Sequence, residues 1–251
     1  MMIEEVHLWR GTAEQQALRS QFVKTTQFAY FDEQLGHPDW NSKRVLDFGG
    51  NKGNLLLDPA CTIRHQDYYC VDVISEAIEE GRRTFPDAHF THYDRYNCSF
   101  NPDGVRDLAI PVLGVEFDFI LAYSVFTHTT FEEMKELIAQ LRQHLAPDGK
   151  LAFTFIDPQW NGNLRWRLEK HNPQDRVETL LSSEMQWCAL VNGTELYVNS
   201  SGVFDFQDDC MTYNVYYAAG FMREQFPEGT IKKPVNDETQ HCCILDTDER
   251  G

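Results

Sequence analysis

The chain has 251 residues, 42% hydrophobic and 24% charged, which is enough for one large α/β domain with a smaller cap or insert. Its formal net charge of −17 argues against nucleic acid as a partner, because polyanions need a clustered basic footprint and Lys232-Lys233 and Arg82-Arg83 are only pairs. No apolar run approaches the roughly 18 residues that span a bilayer, and the opening Met1-Met2-Ile3-Glu4-Glu5 lacks signal-peptide character, so the expectation is a cytoplasmic protein with no membrane partner.

In chain order, Thr12 is a candidate N-cap for a helix over 12–35, with Leu18, Phe22, Thr25 and Ala29 at helical spacing and Phe28, Phe31 and Leu35 as a second stripe. It ends at Gly36-His37-Pro38. The strand Arg44-Val45-Leu46-Asp47-Phe48 runs into Gly49-Gly50-Asn51-Lys52-Gly53, and Pro59 keeps the next helix short. Tyr68-Tyr69-Cys70-Val71-Asp72 reads as a second strand, Ser75 as the cap of a helix through Thr84, 89–93 as a weaker third strand and 117–123 as a strong fourth. Thr130 and Glu133 form a capping box for a helix whose apolar face is Phe131, Met134, Ile138, Leu141 and Leu145. That helix stops at Ala146-Pro147-Asp148-Gly149, and 151–156 is a fifth strand.

Strands alternating with helices predict an α/β fold with a doubly wound, mostly parallel, seven-stranded sheet. The pattern breaks after Asp157. A hairpin is expected between 187–191 and 194–198 around a type I′ Asn192-Gly193 turn, then a helix near 217–226 and strands near 230–233 and 241–245. This divides the chain into an N-terminal helical cap (1–40), a core (41–157), an insert that would contact substrate (158–211) and a C-terminal completion of the sheet (212–251). The hairpin would cover either a substrate or a neighbouring subunit, leaving a homodimer open. Seven cysteines show neither C-x-x-C nor metal-ligand spacing, and Cys70, Cys242 and Cys243 lie in apolar runs, so they read as reduced structural thiols.

The main chemical signal is Val45-Leu46-Asp47-Phe48-Gly49-Gly50-Asn51-Lys52-Gly53. A strand ending in a glycine turn lets backbone amides approach a ligand closely, although any nucleotide-binding Rossmann fold uses such a turn. Asp72, ending the next strand, can accept both hydroxyls of a ribose or, more plainly, cap a helix. The order of these motifs, followed by Asp94-Arg95-Tyr96-Asn97, the stretch from Phe117 to His128, and Leu145-Ala-Pro-Asp-Gly-Lys-Leu151, resembles the class I S-adenosylmethionine (SAM) dependent methyltransferases. The likeness covers 44–157 and, more loosely, 212–246. It is nearest to bacterial enzymes that methylate small metabolites or natural products.

That resemblance implies SAM as cofactor, with S-adenosylhomocysteine as product and a small-molecule acceptor, oxygen being favoured over nitrogen. Beside Asp47, Gly49, Gly50, Asn51 and Gly53 would wrap the methionine part, and Asp72 with Val73 would hold the ribose. Asp94 would face the adenine amino group with Arg95 or Tyr96 alongside the ring, and Ala122 and Tyr123 would sit by the sulfonium. Asn51 departs from the usual glycine, but asparagine tolerates a left-handed backbone best among the other residues. Tyr30, Phe31 and Trp9 would either lid the cation or simply pack the first helix. A hydroxyl nucleophile needs a base, for which His128 is best placed, ahead of His171 and His241. Asp157, Trp160 and Arg165 follow the fifth strand and are candidate substrate contacts. A metal is not expected, since Asp157 has no clear partner and Asp208-Asp209 is far along the chain. The rival readings are an NAD(P)-dependent Rossmann oxidoreductase, a nucleic-acid methyltransferase lacking its Pro-Pro motif, and a non-catalytic SAM-fold partner protein.

Overall fold

The computed structural model describes residues 26–158, 160, 186–191, 195–198, 213–235 and 240–247. Helix α1 (Gln27–Gln34) is followed by β1 (Val45–Phe48), β2 (Tyr68–Asp72), α2 (Ser75–Thr84), β3 (His89–His92), β4 (Phe117–Ala122), α3 (Phe131–Arg142) and β5 (Leu145–Phe155). Beyond these lie β6 (Trp187–Val191), β7 (Glu195–Val198), β8 (Tyr213–Tyr217), α4 (Ala219–Gln225), β9 (Thr230–Lys232) and β10 (His241–Asp246). One seven-stranded sheet has the order β3-β2-β1-β4-β5-β10-β9. Its first five strands are parallel, whereas β10 runs antiparallel to β5 and β9 antiparallel to β10. This is the predicted doubly wound sheet. Strand order reverses between β1 and β4, so the crevice beyond their carboxyl ends is where such sheets hold ligands.

Period-two alternation sorts the side chains between two cores. Leu46, Phe48, Ile120, Ala122, Leu151 and Phe153 face α3 and α4, packing on Met134, Leu137, Leu141 and Met222. Val45, Phe119, Leu121, Tyr123 and Ala152 face the other way, onto Phe28, Tyr30 and Phe31 of α1 and Ile78 of α2. Both faces are covered, which is why these strands read as continuous apolar runs.

Several boundaries differ from expectation. The first turns after Gly53 do not build a helix: Gly53, Asn54, Leu56 and Leu57 amides return to the Gly50 and Gly53 carbonyls, and the chain leaves by Asp58 and Pro59. Ser75 does not cap α2. Ile74 holds the cap position without a side-chain bond, and Ser75 donates to Glu76. Leu145 belongs to β5, opposite Phe117, not to the apolar face of α3. The Ala146-Pro147-Asp148-Gly149 stop is a bulge within that strand, because Lys150 is already opposite Phe119. Of the first helix, only Gln27–Gln34 is described. The hairpin forms, but Val191 pairs with Glu195, leaving three residues between strands where a type I′ turn has two, and Asn192-Gly193 lie outside the described residues. The strand β8 falls outside the expected elements; it pairs with β6, which with β7 makes a second, three-stranded sheet.

The capping box is present in full. Thr130 Oγ1 accepts from the Glu133 amide at 3.2 Å, and Glu133 Oε2 accepts from the Thr130 amide at 2.8 Å. Thr130→Ala is expected to cost about 1 kcal/mol, read as a lower urea midpoint with an unchanged slope. A midpoint equal to that of the parent would contradict the role.

Candidate functional site

The same alternation that fills the two cores puts Asp47 beside Tyr68 and Cys70 on the α1/α2 face. Asp47 is buried, and its Oδ2 accepts from the Tyr68 hydroxyl at 2.5 Å. Its carboxylate lies directly beneath the glycine turn: a Cβ on Gly50 would fall 2.4 Å from Asp47 Cγ. Gly49 has φ +76° and stands where a Cβ would come within 2.4 Å of Val125, so the turn packs against the segment following β4. Asn51 has φ +55°, the left-handed conformation that its identity allows.

Asp72 joins this turn to the second strand. Its Oδ2 accepts from the Asn51 amide at 2.7 Å and its Oδ1 from the Ile74 amide at 2.8 Å. Burial raises its pKa above the usual carboxylate value, and the Ile74, Asn51 and Val73 amides only partly oppose that rise. Each carboxylate oxygen has two acceptor sites, so the amides leave capacity for ligand hydroxyls. Gly49, Gly50, Asn51, Gly53, Asp72 and Val73 thus converge at the strand-order reversal, with Ala122 and Tyr123 at the end of β4 beside them.

Past β3, Asp94 is exposed and Oδ1 accepts from the Asn101 side chain at 3.0 Å. Arg95 corrects an expectation. Its guanidinium does not stand free beside a ring site but is buried, bonding Glu136 in a fork at 3.0 and 2.7 Å and the Leu108 carbonyl at 2.9 Å. It anchors the 94–110 loop to α3. Tyr96 is half-buried, with the Arg106 guanidinium 3.9 Å from its ring centre. Tyr30 is a second correction: instead of forming a lid it is buried, with its hydroxyl on the Gln240 carbonyl at 2.8 Å and its ring edge-on to Tyr123. Phe31 is wholly buried too, while Trp9 lies outside the described residues.

His128 closes a short 3-10 turn after β4, half-buried, with its ring edge-on to Phe100 at 5.0 Å. Asp157 and Trp160 follow β5, and Asp157 Oδ2 accepts from the Ala219 amide at 3.3 Å. Arg165, His171 and Asp208-Asp209 lie outside the described residues. A hydrogen-bonded chain underlies this edge: the Ser124 amide donates to Thr154 Oγ1 at 2.7 Å, and Thr154 donates to Gln240 Oε1 at 2.6 Å. Tyr68, Val125, Thr154 and Gln240 carried no motif. Their roles follow from register, which a single sequence does not display. Five of the six described cysteines are buried, and burial pushes the Cys61 thiol up to about 12. An open groove of about 660 Å³ lined by Glu116, Lys135, Gln225 and Thr247 lies at the opposite, amino edge, away from all these groups.

Residues 46–151 match a family model described as a methyltransferase domain. No curated protein is similar enough in sequence to match. Among solved structures, the amino pentose methyltransferase CalS10 of Micromonospora echinaspora, with SAM bound, is 14% identical with a TM-score of 0.54, covering 94% of this chain and 97% of its own. A SAM-dependent methyltransferase from Clostridium acetobutylicum is 12% identical with a TM-score of 0.54, over 91% and 94% of the two chains. The glycopeptide N-methyltransferase MtfA with S-adenosylhomocysteine is 13% identical with a TM-score of 0.52, over 89% of each. The fold is the Rossmann-like fold of methyltransferases.

Burial, with a smaller contribution from Asp72, pushes Asp47 up to about 7, against the partial opposition of the Tyr68 hydroxyl and the Leu55 amide. A raised carboxyl pKa means that the folded state holds its proton more tightly. The resulting stabilisation is complete below the unfolded value of 3.8 and is lost as pH rises through about 7. It amounts to at most about 4 kcal/mol. Urea midpoints should therefore fall between pH 4 and 7.5, and Asp47→Asn should flatten part of that fall, Asp72 supplying the remainder in the same direction. Identical pH profiles for the two proteins would rule this out.

Proposed function

We propose that the protein is a SAM-dependent methyltransferase acting on a small molecule. The observation that carries this reading is the joining of the glycine turn to Asp72 at the crevice where strand order reverses. The match over residues 46–151 supports it, as do SAM, S-adenosylhomocysteine and sinefungin in structures of similar fold. The residues fit such a ligand. A side chain at Gly50 would collide with Asp47, so the turn is kept bare of Cβ on that side. When bound, the cofactor supplies an activated methyl group on positively charged sulfur.

In this reading Gly49 to Gly53 hold the methionine part through backbone amides, and Asp72 with Val73 holds the ribose. Asp94 and Tyr96 border the adenine, and Arg95 acts at one remove by fixing their loop. Ala122 and Tyr123 floor the reaction centre, excluding water from it. His128 and two residues after β5, Asp157 and Trp160, face the acceptor. Two buried carboxylates, Asp47 beneath the turn and Asp72 at its side, favour a cationic ligand over a pyrophosphate. Cytoplasmic placement and action without a nucleic-acid or membrane partner complete the proposal, in keeping with the net charge of −17.

A thermal-shift series with SAM, S-adenosylhomocysteine, NAD and NADP tests it, because a ligand of the native state raises the melting temperature by mass action. Stabilisation is expected with the first two only. Asp72→Ala should weaken the binding free energy by about 1–3 kcal/mol through lost charge-assisted bonds. Stabilisation by NAD or NADP instead, or an undiminished response in the variant, would refute the assignment.

A further inference from the structure

His241 opens β10, but because β10 runs antiparallel to β5 its pairing with Phe155 puts it at the carboxyl edge of the sheet. Its exposure is 2%. The imidazole stacks on Phe155 with ring centres 5.3 Å apart, and Trp160 meets it edge-on at 5.3 Å. Lys233 Nζ lies over the Trp160 ring, 5.5 Å from its centre. Gln240, immediately before it, is fixed by the Tyr30 hydroxyl and by Thr154, so the backbone that carries the ring is held on both sides.

Among the described residues Nδ1 of this ring meets no hydrogen-bond partner, although it is buried. A buried polar atom without a partner destabilises the fold, so a ring that only packed would be better as phenylalanine. Burial is also the main reason that the pKa of His241 falls to about 4, with Arg223 and Lys233 lowering it further and Asp157 opposing them. The ring is thus neutral near pH 7. One of its nitrogens then lacks a proton and accepts a hydrogen bond.

Building on the methyltransferase reading, we propose that His241 Nδ1 receives a hydrogen bond from the hydroxyl of a ring-bearing acceptor lying against Trp160. A neutral hydroxyl suits the position better than an ammonium, since Lys233 and Arg223 already bring positive charge to this ring. The half-buried indole of Trp160 suits a flat ring. His241 is therefore an acceptor-binding residue, supplied by a strand that comes late in the sequence and runs against its neighbour.

The test uses the full-length protein saturated with S-adenosylhomocysteine, with phenol as the probe and anisole, which has no donor, as its control. Nitrogen-15 NMR of the imidazole rings should show the His241 Nδ1 resonance moving upfield with phenol and not with anisole. His241→Phe, which keeps the stacked ring, should bind phenol about tenfold more weakly, the loss of one hydrogen bond. Its affinity for S-adenosylhomocysteine should stay within twofold of the parent. No phenol binding, or phenol binding that leaves Nδ1 unmoved, overturns the inference while the cofactor cleft stands. Failure of S-adenosylhomocysteine to bind the parent protein instead overturns the methyltransferase reading, and this inference with it.

Discussion

Asp72 stands at the end of β2, and its two oxygens take the amides of Asn51 and Ile74. One carboxylate thereby fixes the glycine turn after β1 to the start of α2. Amide bonds to a carboxylate are worth about 1.5–3 kcal/mol each, enough to hold the left-handed Asn51 in place against its intrinsic cost. The shape of the cleft depends on this bridge. The turn cannot drift away from β2 without leaving a buried carboxylate unsatisfied.

A second carboxylate constrains the turn from below. Asp47 fills the space that a side chain at Gly50 would need, and Tyr68 holds it there. The turn is therefore gripped between Asp47 beneath, Asp72 at its side and Val125 against Gly49. Two acidic groups so close, both with raised pKa, leave the cleft short of positive charge. A cationic ligand would relieve that deficit, which connects the electrostatics of the core to the ligand class proposed for it.

The parallel core was legible because its signals are local and redundant. The apolar runs at 45–48, 68–72 and 117–122 have no other good fate than a sheet covered on both faces, and Thr130 with Glu133 marks the start of α3 within four residues. Asn51 was legible for the same reason, as the residue that after glycine best tolerates such a backbone. What failed was whatever depends on partners distant in sequence. Arg95 looks like a ligand contact until Glu136, on another element, claims its guanidinium. Tyr30 looks like a lid until Gln240 accepts its hydroxyl. Leu145 fits the helical period of α3, yet pairing with Phe117 draws it into β5. His241 could be placed at the carboxyl edge only once its strand was known to run antiparallel to β5.

The central claim is that the ligand enters between the turn at 49–53 and the end of β2. Hydrogen exchange of the backbone amides, measured with and without S-adenosylhomocysteine, examines it most directly. The account predicts slowed exchange concentrated at 49–53 and 72–74, with a smaller effect at 94–96, and none in the groove between Lys135 and Gln225. Protection confined to that groove, or an unchanged turn in a complex that has formed, would contradict it.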